Sequence, residues 1–396
     1  MLSLAAMLAV ISYASPASAE LKIGGDAATR VRGQFNNSSL RDAGGVYQKT
    51  TNQDDIKFQY RVRLKASADL GDGYFFKALI ANEEVSNGGT PGWSTVGNTN
   101  SEKFQLEVSN FYFGRMMESS HYMIGRLPLN SFNNPIFDLT LYPVPTVFTN
   151  SGIFAVDVPV FQWNYDRVYG MNYGTKVGNG DLNATLVVLD NNSVIENTAS
   201  HYGDGLFNDG YLLHLSYKTN IGNVTVEPQA LIVLTDAQGV TYQKISPNTF
   251  GANATIPVGK SKIGLSGFYT VCKDSKGATA TTYSSTTIHD NSTITGYTPV
   301  NVDYSGYLLR LKGESGPVMA WVDYNRTVDK SPVSDLTYNN IFVWAQYKIN
   351  VHESAMGTVS LTPTLRYRAS GMDTAGIAGT EHNNQLRTEL WASVTF

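Results

Sequence analysis

Residues 55–70 read DIKFQYRVRLKASADL, and this stretch decides the fold. Its apolar residues occupy the even positions from Ile56 to Leu70, whereas Lys, Gln, Arg, Ser and Asp occupy the odd positions. A period of two places the two sets on opposite faces of a β-strand, which a helix with 3.6 residues per turn cannot do. The stretch therefore predicts a strand with one apolar face and one aqueous face.

The same alternation recurs along the chain and predicts sixteen strands. Beyond residues 22–35 and 55–70, the segments lie near 74–82, 103–115, 121–129, 167–177, 182–190, 210–219, 224–234, 249–257, 262–272, 303–313, 318–326, 338–349, 358–370 and 384–396. Each is close to the roughly 9 to 11 residues that a tilted strand needs to cross a bilayer. No run after residue 19 approaches the roughly 20 apolar residues of a helical span, so a membrane crossing requires a closed barrel. We predict an all-β protein, a sixteen-stranded antiparallel transmembrane barrel over residues 20–396.

The connections between these segments alternate in length. Short turns rich in Gly and Asn are expected at 71–73, 178–181, 220–223, 258–261 and 314–317. Longer polar connections are expected near 36–54, 83–102, 130–166, 191–209, 235–248, 273–302, 327–337 and 371–383. Outer-membrane barrels have short periplasmic turns and long extracellular loops, and an even number of strands places both termini in the periplasm.

The two ends of the chain agree with export to an outer membrane. Residues 1–19 have a short apolar core followed by small residues, which predicts a signal peptide. The expected positive segment before that core is missing, so we expect the true start to lie a few residues upstream of Met1. The terminal Phe396 resembles the C-terminal signal by which outer-membrane barrels of Gram-negative bacteria are recognised for insertion, which implies the barrel assembly machinery as a partner.

Composition and motifs argue against several other classes. The single Cys272 cannot form an internal disulfide. The six histidines are scattered and no Gly-x-Ser-x-Gly elbow is present, so we expect no enzyme and no catalytic residue. No ligand spacing indicates a metal or a cofactor. Basic residues alternate along strands instead of forming an exposed patch, so no nucleic acid is expected as a partner.

The chain resembles the general bacterial porins, which are sixteen-stranded barrels. The resemblance is carried by the strand number, by YFGR ending at Arg115, by YMIGRLPL over residues 122–129, and by the long connection 130–166 that follows. It implies a third loop folded into the lumen, a homotrimer in outer-membrane lipid and lipopolysaccharide, and passive diffusion of small hydrophilic solutes. The Pro-Glu-Phe-Gly-Gly loop tip of many porins is absent, so the details of the constriction differ.

The face assigned to the lumen carries more basic than acidic residues, although the formal net charge of the chain is −4. By resemblance to the porins, the basic wall would face carboxylates of the inserted loop, and opposed charges across a narrow slit produce a strong transverse field. We therefore predict a mild anion preference. The candidate pore-lining residues are Arg30, Arg61, Arg63, Lys77, Arg115, Arg126, Asp138 and Asp157.

Two other functions remain open at this point. The barrel could be an open sheath around a partner protein such as a multihaem cytochrome, although the chain itself has no Cys-x-x-Cys-His motif. It could also be an outer-membrane hydrolase, which the scattered histidines disfavour. A sheath needs an unobstructed lumen, so the location of residues 130–166 discriminates between a sheath and a porin.

Overall fold

The alternating segments form strands in the computed structural model. The model describes residues 20–41, 46–82, 93–96, 106–129, 134–137, 167–190, 210–235, 242–243, 247–274, 279–283, 294–299, 302–330 and 334–396. Within this part of the chain no helix has both the length and the hydropathy needed to cross a membrane. The predicted signal peptide, residues 1–19, lies outside the described residues and stays a prediction.

Sixteen strands, numbered here in chain order, build the wall. They are β1 (Glu20–Arg41), β2 (Tyr47–Gly71), β3 (Tyr74–Ala81), β4 (Glu107–Met116), β5 (Ser120–Pro128), β6 (Arg167–Val177), β7 (Gly180–Asp190), β8 (Gly210–Ile221), β9 (Val224–Val233), β10 (Asn248–Val258), β11 (Ser261–Asp274), β12 (Val302–Ser315), β13 (Val318–Asp329), β14 (Leu336–Tyr347), β15 (Gly357–Thr374) and β16 (Glu381–Thr395). Strand β14 continues past Lys348 as Ile349–Ser354, which also pairs with β15.

The sheet closes on itself. Each strand pairs antiparallel with its neighbours in chain order, and β16 pairs with β1 from Asp26 opposite Thr395 to Ser39 opposite His382. Closure removes the exposed edges that an open sheet would present. The predicted all-β, sixteen-stranded antiparallel barrel is confirmed.

The apolar face of the alternation lies outside. Ile56 and Phe58 are 68% and 58% exposed, whereas Gln59, between Phe58 and Tyr60 in sequence, is 2% exposed. The same outward exposure recurs around the barrel, for example at Tyr169, Phe250 and Leu309. A contiguous apolar outer surface of this kind suits hydrocarbon.

The first long connection is shorter than the sequence indicates. The sequence predicts a loop over residues 36–54, yet β1 extends to Arg41 and β2 begins at Tyr47, and the two pair from Ser38 with Thr50 to Arg41 with Tyr47. A register shift between Asn36 and Ser38 marks the change from the alternating part to the polar part. Backbone pairing does not need an apolar face once a strand extends beyond the hydrocarbon, so a polar composition does not end the strand there.

Four shorter strands complete the described structure, one in the wall and three in a separate sheet. Ser94–Thr95 pairs with β2 directly beyond the end of β3. Tyr242–Gln243, Thr279–Tyr283 and Ile294–Pro299 form a separate three-stranded sheet from segments of two long connections.

Candidate pore-lining site

Three of the predicted residues meet on the inner face of the β1–β2 hairpin. In the register of these strands Asp26 lies opposite Arg63 and Arg30 lies opposite Gln59. Arg61 lies midway between Gln59 and Arg63, and alternate residues of a strand share a face. The sequence alternation therefore places all five side chains on the side that is opposite to the exposed apolar face.

Asp26 pairs with the basic residues of this group that lie nearer to the short turns. Arg63 Nε donates to both Asp26 carboxylate oxygens at 2.9 Å, and Arg61 Nη2 lies 3.2 Å from Asp26 Oδ1. Lys65 Nζ lies 4.0 Å from the same carboxylate. Asp26 is 5% exposed, so one buried carboxylate faces three cations and positive charge exceeds negative charge here.

Glu389 is a second buried carboxylate that pairs with several arginines, at the seam where β16 meets β1. Its Oε1 lies 2.7 Å from Arg32 Nε and 3.8 Å from Arg366 Nε, and its Oε2 lies 3.3 Å from Arg30 Nη1. Trp391 Nε1 also donates to Oε2, at 2.7 Å. The Glu389 side chain is fully buried, and its ion pairs join β16 to both β1 and β15.

Four tryptophans form a continuous row along the same inner wall. The ring centroids of Trp93 and Trp391 are 5.2 Å apart, those of Trp391 and Trp344 are 6.3 Å apart, and those of Trp344 and Trp321 are 4.8 Å apart. The last pair is stacked at an interplanar angle of 9°, and the other two pairs are edge-on. Both geometries are favourable for aromatic rings.

A guanidinium group lies over each ring of this row. The distances from guanidinium carbon to ring centroid are 4.0 Å for Arg30 and Trp93, 5.5 Å for Arg30 and Trp391, 4.8 Å for Arg61 and Trp93, 3.9 Å for Arg366 and Trp344, and 5.2 Å for Arg310 and Trp321. All are within the roughly 6 Å range of cation–π attraction. We call these eight residues the arginine–tryptophan array.

Three indole N–H groups of the array donate to an acceptor two residues away on the same face. The pairs are Trp391 with Glu389, Trp321 with Asp323, and Trp344 with Gln346. Asp323 also accepts two hydrogen bonds from Arg310, one from Nε at 2.6 Å and one from Nη2 at 2.8 Å. These bonds fix the orientation of each ring against the wall.

The tryptophans were not among the residues predicted from the sequence. The signal that could have found them is the spacing Glu-x-Trp, Trp-x-Asp and Trp-x-Gln in three separate strands. In a strand this spacing places ring and acceptor side by side on one face. The spacing alone does not show that the three strands bring their rings into one row, because the position of one ring relative to the next depends on the register between strands.

The register takes Arg115 and Arg126 away from the array. Arg126 lies opposite Phe111 on one side and Tyr169 on the other, and both aromatics are exposed on the outer wall. Its guanidinium lies 5.5 Å from the Tyr169 ring and donates to the Ser109 carbonyl. Directly opposed residues share a face, so Arg126 belongs to the outward face. The expectation that it lines the lumen is corrected.

Arg115 lies at the rim formed by the short turns. It is opposite Tyr74, its guanidinium is 4.7 Å from that ring, and its Nε donates to the carbonyl of Asp72. Tyr74 is exposed on the outer wall, so the lumen assignment of Arg115 is corrected in the same way. Lys77 is also near this rim but lies opposite Ser67, on the inner face of β2. It is exposed and 5.4 Å from the Phe75 ring, and it is not part of the array.

The candidate loop residues Asp138 and Asp157 lie outside the described residues, and their pairing with the wall stays a prediction. The described part of the connection, residues 134–137, reaches the inner wall on another side of the barrel. Asn134 exchanges hydrogen bonds with Gln229 at 2.8 and 3.2 Å and accepts one from Asn253 at 3.1 Å. The inward-facing Gln229 is 5% exposed, so Asn134 lies inside the barrel.

The terminal Phe396 completes the seam between β16 and β1. Its backbone N–H donates to the carbonyl of Gly25 at 3.1 Å, and its carbonyl accepts from the N–H of Gly25 at 2.8 Å. A Cβ at position 25 would lie 2.9 Å from the Phe396 ring, so glycine gives the ring its space on the wall. A role of Phe396 in assembly stays a prediction.

No family model matches the chain, and no curated protein matches it. Solved structures do. The anion-selective porin from Comamonas acidovorans is 13% identical with a TM-score of 0.51, covering 95% of this chain and 100% of its own. The outer membrane channel DcaP of Acinetobacter baumannii is 12% identical with a TM-score of 0.50, covering 97% and 99%.

A third structure, the outer membrane protein OmpT of Vibrio cholerae, is 10% identical with a TM-score of 0.50, covering 96% of this chain and 99% of its own. At these identities the likeness shows the fold alone. That fold is the barrel of bacterial outer-membrane porins, so the resemblance drawn from the sequence is confirmed at the level of architecture.

Proposed function

We propose that this chain is an outer-membrane porin, a passive diffusion channel for small hydrophilic solutes and ions with a mild anion preference. The observation that carries the proposal is the partition of the wall, with apolar residues outside and a cluster of arginines on the inner face of β1, β2 and β15. Among the described residues, the carboxylates of Asp26 and Glu389 pair with five arginines, Arg30, Arg32, Arg61, Arg63 and Arg366. Fixed positive charge beside a water-filled path attracts anions.

The proposal includes the finer expectations of the sequence. The protein is exported by the signal peptide 1–19 and inserted by the barrel assembly machinery, which reads Phe396. It functions as a homotrimer in outer-membrane lipid and lipopolysaccharide, without enzymatic activity. Asp138 and Asp157 of the constriction loop, residues 130–166, complete the transverse field opposite the array.

Two measurements on purified protein in planar bilayers test the channel. In a gradient of KCl the reversal potential should have the sign of chloride permeation, and clear potassium selectivity would contradict the anion preference. Deletion of residues 138–157 should increase single-channel conductance, because the deletion removes the proposed constriction while it leaves Asn134 in place.

The open sheath is the second candidate, and the position of Asn134 disfavours it. Asn134 lies inside the barrel and bonds to Gln229 and Asn253, so the chain itself occupies part of the space that a partner protein would need. Unchanged conductance after the deletion, together with a large wild-type conductance, would favour a sheath over a porin.

A further inference from the structure

The arginine–tryptophan array contains more than passive ion diffusion requires. A basic wall attracts anions without any indole ring. Here, however, the described structure places four rings in one row with guanidinium groups between and above them. A row of aromatic surface inside a pore is expected to contact solutes that have apolar surface of their own.

The polar groups of the array are already used internally, which limits the kind of solute it can bind. The N–H groups of Trp321, Trp344 and Trp391 donate to Asp323, Gln346 and Glu389. The two carboxylates also accept from arginines. A sugar needs a mixture of donors and acceptors for its hydroxyl groups, and this arrangement offers it little. What the array presents is positive charge and ring surface.

Donor capacity remains on the arginines. Arg30 Nη2 and Arg61 Nε are buried and have no acceptor among the described residues. A buried donor without an acceptor is unfavourable, and a bound anion would supply one. The local surplus of arginines over carboxylates around Glu389 favours a negative ligand in the same way.

Trp391 is the ring of the row that a solute can reach. Trp93, Trp321 and Trp344 are 4%, 5% and 6% exposed, whereas Trp391 is partly exposed. The guanidinium group over the Trp391 ring is that of Arg30, at 5.5 Å, and Arg30 is only 2% exposed. Two other guanidinium groups of the array are more accessible. Arg61 lies over the Trp93 ring at 4.8 Å and Arg366 over the Trp344 ring at 3.9 Å, and their side chains are 18% and 14% exposed.

We propose that the array binds planar aromatic carboxylates that enter the lumen. The aromatic ring of the solute contacts Trp391, and its carboxylate accepts hydrogen bonds from Arg61 or Arg366. A planar aromatic anion gains both interactions, an aliphatic anion gains the charge interaction alone, and a neutral aromatic gains the ring contact alone. This inference rests on the proposed function, because the solute reaches the array through the pore.

The test uses current blockade of the full-length protein in planar bilayers with three probes and with maltose as a sugar for comparison. 1-Naphthoate is planar and anionic, cyclohexanecarboxylate is anionic and not planar, and naphthalene-1-carboxamide is planar and neutral. We expect 1-naphthoate to block chloride current at the lowest concentration. Trp391→Ala should weaken its block roughly three- to tenfold, and Trp391→Phe should recover part of that loss.

Tyr169→Ala is the matched control, because Tyr169 is an aromatic residue on the outer face. It should leave the block by 1-naphthoate unchanged. Equal block by 1-naphthoate and cyclohexanecarboxylate, or an unchanged block in Trp391→Ala, would overturn the proposal. A stronger block by maltose than by 1-naphthoate would also overturn it, because it would identify a sugar site.

A binding measurement separates failure of this inference from failure of the proposed function. Quenching of tryptophan fluorescence by 1-naphthoate needs no ion conduction. It is measured in detergent-solubilised protein, whose folded state is verified by its electrophoretic mobility before heating. If Trp391→Phe reduces this quenching, the result would support binding of 1-naphthoate at the array even if the protein forms no chloride channel. Channels that conduct chloride without binding 1-naphthoate would leave the porin intact and contradict the array's role.

Discussion

At the scale of single residues, Glu389 is the side chain on which the array depends most. It is fully buried and accepts from Arg30, Arg32 and Trp391. Glu389→Gln keeps the size of the side chain but leaves the buried arginines without their counter-charge. Removing one partner of a buried ion pair costs about 3–5 kcal/mol, so we expect a loss of that order in the free energy of unfolding, measured by urea titration of the detergent-solubilised barrel.

Glu314→Gln provides the matched control for this measurement. Glu314 pairs with Lys312 at 2.7 Å, but its side chain is 43% exposed. An ion pair of this kind contributes about 0–1 kcal/mol. If both variants lost the same stability, the buried network around Glu389 would not be what stabilises the seam between β16 and β1.

Residue positions on one strand were predictable from sequence, and positions across strands were less so. The alternation in β2 was sufficient to place Arg61 and Arg63 on the other face of the strand from Phe58, because the period of a strand is fixed. Arg126 has the same polar character as these residues but lies opposite Phe111 and Tyr169. Hydrophobicity alone does not reveal this, since a long arginine side chain can lie along an aromatic ring at the edge of the outer wall.

At the scale of elements, Asn82 joins the end of β3 to the short strand Ser94–Thr95. Its Oδ1 accepts from the Val62 N–H at 2.6 Å, and its Nδ2 donates to Ser94 Oγ at 2.8 Å. Its Nδ2 also donates to the Tyr60 carbonyl at 3.2 Å. Asn82→Ala removes all three bonds and leaves buried polar groups unpaired, which costs about 1–3 kcal/mol per group. We expect faster hydrogen exchange at the Val96 amide, which bonds to the Phe58 carbonyl at 2.9 Å.

Ser94→Ala separates the bond between Asn82 and Ser94 from the other side-chain bonds of Asn82. It removes only the contact with Ser94 Oγ and leaves the bond to Val62 in place, so the change in exchange at Val96 should be smaller than in Asn82→Ala. Exchange that is equally slow in wild type and Asn82→Ala would show that the strand pairing of residues 94–95 holds without this side chain.

Element boundaries in the polar parts of the chain were the least predictable. The alternating, membrane-length portion of each strand was identified because lipid and water impose it. Residues 36–41 and 47–54 have no such constraint and nevertheless pair, because backbone hydrogen bonding alone extends the hairpin. The return of residues 94–95 to the wall beside β2 is likewise decided by pairing between distant segments, which no local pattern contains.

At the scale of the whole molecule, the proposed anion preference is an electrostatic property and should depend on salt. The Debye length is about 30 Å at 0.01 M and about 3 Å at 1 M ionic strength. Charges on the inner wall therefore act across the lumen at low salt and are screened at high salt. We expect the chloride-to-potassium permeability ratio, from reversal potentials at a fixed gradient, to fall towards the ratio of free ion mobilities as total KCl rises.

The two faces of the wall provide the comparison that makes this prediction specific. Arg63→Gln removes a positive charge from the inner face, where Arg63 pairs with Asp26 at 2.8 Å, so it should reduce the permeability ratio at low salt and have little effect at 1 M. Arg126→Gln removes the same charge from the outward face beside Tyr169 and should leave the ratio unchanged at both. A salt-independent ratio, or equal effects of the two variants, would mean that the fixed charge of the inner wall does not select the permeating ion.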